Sequence, residues 1–159
     1  MMTRHELIEL LDDKGISYEI TEHVPVYTIE EMLKCNLPYP EIIAKNLFIR
    51  DDKKRNYYLI TVQEGRKINL KEFQEQFDTR KLSFASENDL MSIMQLIKGA
   101  VTPFGLLNDE GRKVQFYIGK EFVDGKIGIH PLENTATLWI YTSNLIELIK
   151  EHGNQIRMF

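Results

Sequence analysis

Two rhythms of apolar positions alternate along the chain. Thr3-x-x-Glu6 forms a capping box, and Leu7, Leu10 and Leu11 follow it at helical spacing until Gly15 stops the run. Residues 17–21 alternate like a short strand. Thr28-x-x-Glu31 is a second capping box, which predicts a short helix through Leu33. Residues 45–50 and 56–62 read as two strands around the polar turn 51–55. Residues 69–77 read as a helix with Leu70, Phe73 and Phe77 on one side, and residues 86–97 as another, capped by Ser86. Residues 104–107 and 113–118 flank Asn108-Asp109-Glu110-Gly111, a hairpin-type turn. Residues 126–129 and 136–141 form a further strand pair, and Ser143 or Asn144 caps a final helix that Gly153 ends. Interleaved helices and hairpins predict an α+β fold, a mixed sheet covered by helices.

Composition narrows the picture. The chain has 159 residues, the length of about one domain, and neither an internal repeat nor a low-complexity linker divides it. It is expected to fold as a single domain over residues 1–159. Hydrophobic residues make up 43% and charged residues 28%, as in ordinary globular proteins. One cysteine, Cys35, excludes an internal disulfide and suits a reducing, cytoplasmic setting. Residues 1–15 lack the apolar run of a signal peptide, and no stretch of about 18 apolar residues occurs, so no membrane partner is expected. The formal charge of −4 argues against a DNA-coating protein. Charge is uneven, however: residues 45–81 carry ten basic and six acidic side chains. Such a segment could meet an anionic partner, although charge runs are more often solvated faces.

Much familiar chemistry is missing. The chain has no P-loop, dinucleotide-binding glycine fingerprint, H-E-x-x-H motif or nucleophile elbow. The four histidines, His5, His23, His130 and His152, lack metal-ligand spacing.

Four local stretches carry candidate chemistry. Residues 22–28, EHVPVYT, make a proline-bent entry to the Thr28 cap. Lys45 opens a strand that turns apolar, where an ammonium could hold a phosphate as a point charge. In residues 98–105, KGAVTPFG, Gly99 permits close backbone approach and Pro103 fixes the chain. His130 lies between two strands, before Pro131. Each stretch taken alone fits a structural role equally well or better.

Together they resemble one family. The order and spacing of EHVPVYTIEE (22–31), KNLFIRD (45–51), LSFASENDLM (82–91), GAVTPFGLLND (99–109) and HPLENTAT (130–137) are similar to the YbaK/prolyl-tRNA synthetase-associated editing domain, in its free-standing alanyl-tRNA(Pro) deacylase branch. The resemblance implies a largely antiparallel, curved mixed sheet. It also implies hydrolysis of the ester in mischarged Ala-tRNA(Pro), assisted by the substrate's ribose 2′-OH, without metal, cofactor or covalent nucleophile. Lys45 would contact the terminal nucleotide. Gly99, Thr102 and Pro103 would form the catalytic loop. His130 would shape the alanine site, with Ile20, Tyr27, Thr28, Ala100 and Val101 as further substrate-binding positions. Asn46, Ser86 and Thr135 match family stretches without an assigned role. Partners would be the charged tRNA(Pro) and prolyl-tRNA synthetase. The pattern departs at residues 95–98 and at Gly128-Ile129, which bear on pocket size. A deacylase for Cys- or Ser-charged tRNA, or a tRNA-binding module without turnover, remain alternatives.

Overall fold

The computed structural model describes residues 1–159, apart from the side chain of Ile29. The expected α+β architecture is found, with its strands divided between two sheets. The smaller has the order β1 (Tyr18–Glu22), β7 (Ala136–Tyr141), β6 (Lys126–Ile129), all antiparallel. The larger has the order β4 (Leu82–Phe84), β2 (Ala44–Asp51), β3 (Tyr57–Gln63), β5 (Val114–Ile118), β8 (Ile156–Met158). A parallel bridge between Ile43 and Gly128 joins them.

Alternation along the strands builds three apolar clusters. Leu138 and Ile140 of β7, and Ile127 and Ile129 of β6, face Phe48, Leu59 and Phe116 of the larger sheet. Helices α1 (Arg4–Asp13), α4 (Glu87–Met94) and α5 (Thr142–His152) add Leu7, Leu11, Leu90, Met94, Leu145 and Ile149 to this core. On the other side of the larger sheet, Ile49, Tyr58, Ile60 and Tyr117 pack on Phe73 of α3 (Leu70–Phe77). On the other side of the smaller sheet, Trp139 packs with Val26, Met32, Leu37 and Ile43, beneath α2 (Ile29–Leu33). No helix among the described residues is long and apolar enough to cross a membrane.

The local capping signals are realised. Thr3 and Glu6 make both bonds of the capping box, and Thr28, Asn69 and Ser86 each accept the N–H three residues on. Several expectations need correction. Residues 104–107 are not a strand. Pro103–Asn108 is a 3-10 helix, opened by the Thr102 side chain and by proline at its first position, and it is almost wholly buried. An apolar run this short does not separate a strand from a buried turn.

The hairpin with residues 113–118 is therefore absent; β5 instead pairs in parallel with both β3 and β8. The helix expected over residues 86–97 stops at Met94, because Gln95 turns left-handed at φ 56°. Leu96 then drops into the core, and Gly105 makes room: a Cβ there would lie 2.5 Å from Leu96 Cδ1. Neither Ser143 nor Asn144 caps the final helix. Strand β7 runs straight into α5, with Tyr141 at the cap position and the Thr142 N–H bonded to the Gly125 carbonyl. Strands β4 and β8, each of three residues, escaped the periodicity because so short a run carries no readable alternation.

Candidate active site

A cavity of about 270 Å³ opens beside the bridge that joins the two sheets. Four parts of the chain enclose it. The segment before α2 supplies Val26, Tyr27 and Thr28, the start of β2 supplies Lys45 and Asn46, the loop after α4 supplies Gly99 and Val101, and β6 with β7 supplies Gly128, His130 and Thr137.

Six expected site residues thus share one cavity: Lys45, Gly99, Val101, His130, Tyr27 and Thr28. Four others are absent from its wall. Ile20 packs against the main core from β1. Ala100 and Pro103 are buried within the loop. Thr102 is fully buried, and its hydroxyl donates to the His130 carbonyl at 2.6 Å. That bond ties the 99–103 loop to the backbone that carries the imidazole. Of the residues first left without a role, Asn46 lines the cavity while its Oδ1 accepts from the Thr61 hydroxyl at 2.5 Å. Ser86 is the α4 cap, and the Thr135 hydroxyl donates to Glu133.

Gly99 needs to be glycine on two counts. Its φ is +89°, and a Cβ would stand 2.7 Å from Tyr27 Cδ1 and 3.2 Å from the Val26 carbonyl oxygen. Val26 is held in turn by Asn134, whose side-chain amide donates to its carbonyl at 3.0 Å.

Lys45 is half-buried, and no carboxylate lies within 4 Å of its ammonium among the described residues. The cavity therefore holds an uncompensated cation. Much of the wider basic segment does not gather around it. Lys53, Lys54 and Arg55 lie in the β2–β3 turn, about 20 Å along the strands from the cavity end. Arg80 pairs with Asp52 at that same far end. At the near end Arg66 is engaged by Glu121 at 2.8 Å and stacks over the Phe159 ring.

The Nδ1 atom of His130 lies 2.9 Å from the Ala136 carbonyl, so the neutral ring carries its hydrogen there and donates. Nε2 is left as an acceptor. Burial holds the His130 pKa below its ordinary 6.5; the nearby His23 adds to this, and the Ala136 hydrogen bond opposes it. His23, which the sequence left without a role, sits 6.1 Å away ring to ring. Its Nδ1 is 2.8 Å from the Val24 carbonyl, and its Nε2 is 3.0 Å from the Thr137 hydroxyl in the cavity wall.

A depressed histidine pKa fixes the sign of a pH effect. The unfolded chain takes up a proton near pH 6.5, whereas folded His130 resists it. Neutral His130 therefore contributes its full stability above pH 6.5, and that contribution is lost as pH falls through the folded value. An NMR titration of His130 is expected to show a midpoint below 6.5, and His130→Gln is expected to remove this part of the acid destabilisation. A midpoint at or above 6.5 would contradict the desolvated ring.

Beyond these positions, the wall includes Met32 and Thr137, which sequence reasoning missed, and Gly128, which it tied to pocket size without a role. Gly128 had a readable signal, since glycine inside a strand marks close approach. A Cβ there would meet the Trp139 ring nitrogen at 2.8 Å.

The sequence model of the aminoacyl-tRNA editing domain matches residues 23–148, which include every segment of this cavity. The chain belongs to the aminoacyl-tRNA editing domain family. Over 158 residues it is 41% identical to the prolyl-tRNA editing protein ProX of Acetoanaerobium sticklandii, covering 99% of this chain and 96% of that protein. It is 34% identical to the mouse (Mus musculus) prolyl-tRNA synthetase associated domain-containing protein 1, covering 95% and 92% of the two chains. A solved structure described as a candidate trans-editing enzyme for prolyl tRNA synthetase superposes with a TM-score of 0.70 at 16% identity, over 99% of this chain and 97% of that one. At that identity the superposition speaks for the fold of this editing domain. The identity to ProX bears out the resemblance seen in the sequence.

Proposed function

We propose that this editing domain is a trans-acting deacylase that hydrolyses the ester of mischarged Ala-tRNA(Pro). One observation carries the reading: Lys45, Gly99 and His130, from three distant stretches, converge on a single small cavity in a chain so similar to ProX.

The chemistry follows from the wall. Its described residues include no serine, cysteine or carboxylate, and Thr28 and Thr137 are engaged in the α2 cap and in bonds to His23 and Met32, which favours direct attack by water over a covalent intermediate. Among the described residues, no three His, Cys, Asp or Glu side chains are grouped to hold a metal ion, and His130 with His23 alone is a poor metal-binding set. An aminoacyl ester is already activated, and a positioned water suffices. Water attacks the carbonyl, the bond to the ribose oxygen breaks, and alanine leaves from a tRNA with a free hydroxyl. Lys45 holds the phosphate of the terminal nucleotide. Thr102 and Gly99 fix the loop whose backbone faces the ester. His130 presents Nε2 as a neutral acceptor to the α-amino group or to the water.

Selectivity needs a small cavity. A synthetic site that accepts proline rejects alanine by only about 1–3 kcal/mol per missing methylene. A second cavity that admits a methyl group and excludes a pyrrolidine ring supplies the difference by steric clash.

The test is ester loss from Ala-, Ser-, Cys- and Pro-charged tRNA(Pro), with EDTA present. Rapid loss of alanine with proline retained is expected. Loss of serine or cysteine in preference would move the substrate. No loss from any of them would leave a binding module.

A further inference from the structure

We propose that Tyr27 is a stacking platform for the terminal base of the charged RNA, and that the bare α-carbon of Gly99 seats its ring. The inference rests on the deacylase reading for the identity of the ligand.

Exposed aromatic residues are common and usually need no explanation. Tyr27 differs in its surroundings. It is 58% exposed, yet the Cδ1–Cε1 side of its ring is pressed onto Gly99, so closely that a single added carbon would overlap Cδ1. Its neighbours on both sides are fixed: Val26 by Asn134, and Thr28 as the cap of α2. The ring is thus held on its Cδ1–Cε1 side and more than half exposed, at the wall of the cavity.

Charge around the ring agrees with a nucleotide. Lys98 is exposed, adjoins Gly99 and has no carboxylate within 4 Å among the described residues. Lys45 stands free in the same cavity. An aromatic face beside uncompensated cations is how unpaired nucleotides are held, base on the ring and phosphate on the ammonium. The amino acid of a charged tRNA hangs on a terminal nucleotide that is unpaired. With the ester in the cavity, the attached ribose stands at its mouth, and its base comes within reach of Tyr27.

The test uses uncharged RNA, so that it does not depend on hydrolysis. A short hairpin ending in CCA, with 2-aminopurine in place of the last adenine, reports stacking as loss of fluorescence. Wild-type protein is expected to quench it, and Tyr27→Phe to quench equally. Tyr27→Ala should lose the quenching and bind about 5- to 150-fold more weakly, the range for one base on one ring. The KM for charged tRNA should rise by a similar factor.

Equal quenching by Tyr27→Ala, or none by wild-type protein, would overturn the proposal. Either result together with intact alanine release would leave the deacylase reading standing. Quenching that depends on Tyr27 in a protein that hydrolyses nothing would uphold the platform and sink the deacylase.

Discussion

Replacing Lys45 with alanine is expected to lower deacylation of Ala-tRNA(Pro) by about a hundredfold or more, the scale seen when one preorganised charge or donor leaves an active site. That is about 2.7 kcal/mol of transition-state stabilisation. The melting temperature is expected to stay within a degree or two. Lys45 is half-buried without a carboxylate partner, so its removal breaks no ion pair and leaves no orphaned charge. The two readouts together are informative, because a cation kept for the fold would move the second as well. Lys45→Met retains the apolar stem and should be as inactive as alanine. Near-normal turnover in either variant would remove Lys45 from the mechanism.

Gly99→Ala is expected to cost both stability and activity. A left-handed backbone with a Cβ costs roughly 1–2 kcal/mol, and the overlap with Tyr27 comes in addition. The loop or the ring has to move, so a loss of tenfold or more in kcat/KM is expected. A double-mutant cycle separates the contributions. In Gly99→Ala with Tyr27→Ala the ring overlap is gone, while the backbone strain and the approach to the Val26 carbonyl remain. Denaturant midpoints should therefore show a coupling of about 0.5–3 kcal/mol, as for residues in contact. Strict additivity would mean that Tyr27 does not rest on Gly99 in solution.

The sequence was legible wherever a signal was local. Thr3, Thr28, Asn69 and Ser86 announce their helices because a cap needs only the next few residues. The direction of β5 was not legible. Its turn-like approach suggested a hairpin, but the parallel pairing with β3 is decided by a crossover through α3, β4 and α4. Tyr141 at the head of α5 shows the same limit. Ser143 and Asn144 are better caps by type, yet the Gly125 carbonyl takes the Thr142 N–H and starts the helix earlier.

In the site, Lys45, Gly99 and His130 stood out through a family pattern, while His23, Met32 and Thr137 did not. Met32 and Thr137 join the wall, and His23 bonds to Thr137, only when β7 lies against the segment that leads into α2. Ile20 shows the converse. It lies in a strand expected near the site, but the two-residue alternation of β1 turns it toward the main core.

The Ile43–Gly128 bridge also bears on how the protein comes into being. A chain that has emerged as far as β5 already contains Lys45, Tyr27 and the Gly99 loop. It still lacks the strands that bring Gly128, His130 and Thr137, and with them one whole wall. These contacts join residues far apart in sequence, the kind that form late because loop entropy opposes them. The cavity is therefore absent from the growing chain and appears only as β6 and β7 close. A half-made copy would carry Lys45 and Tyr27 without the walled cavity that they border in the finished protein.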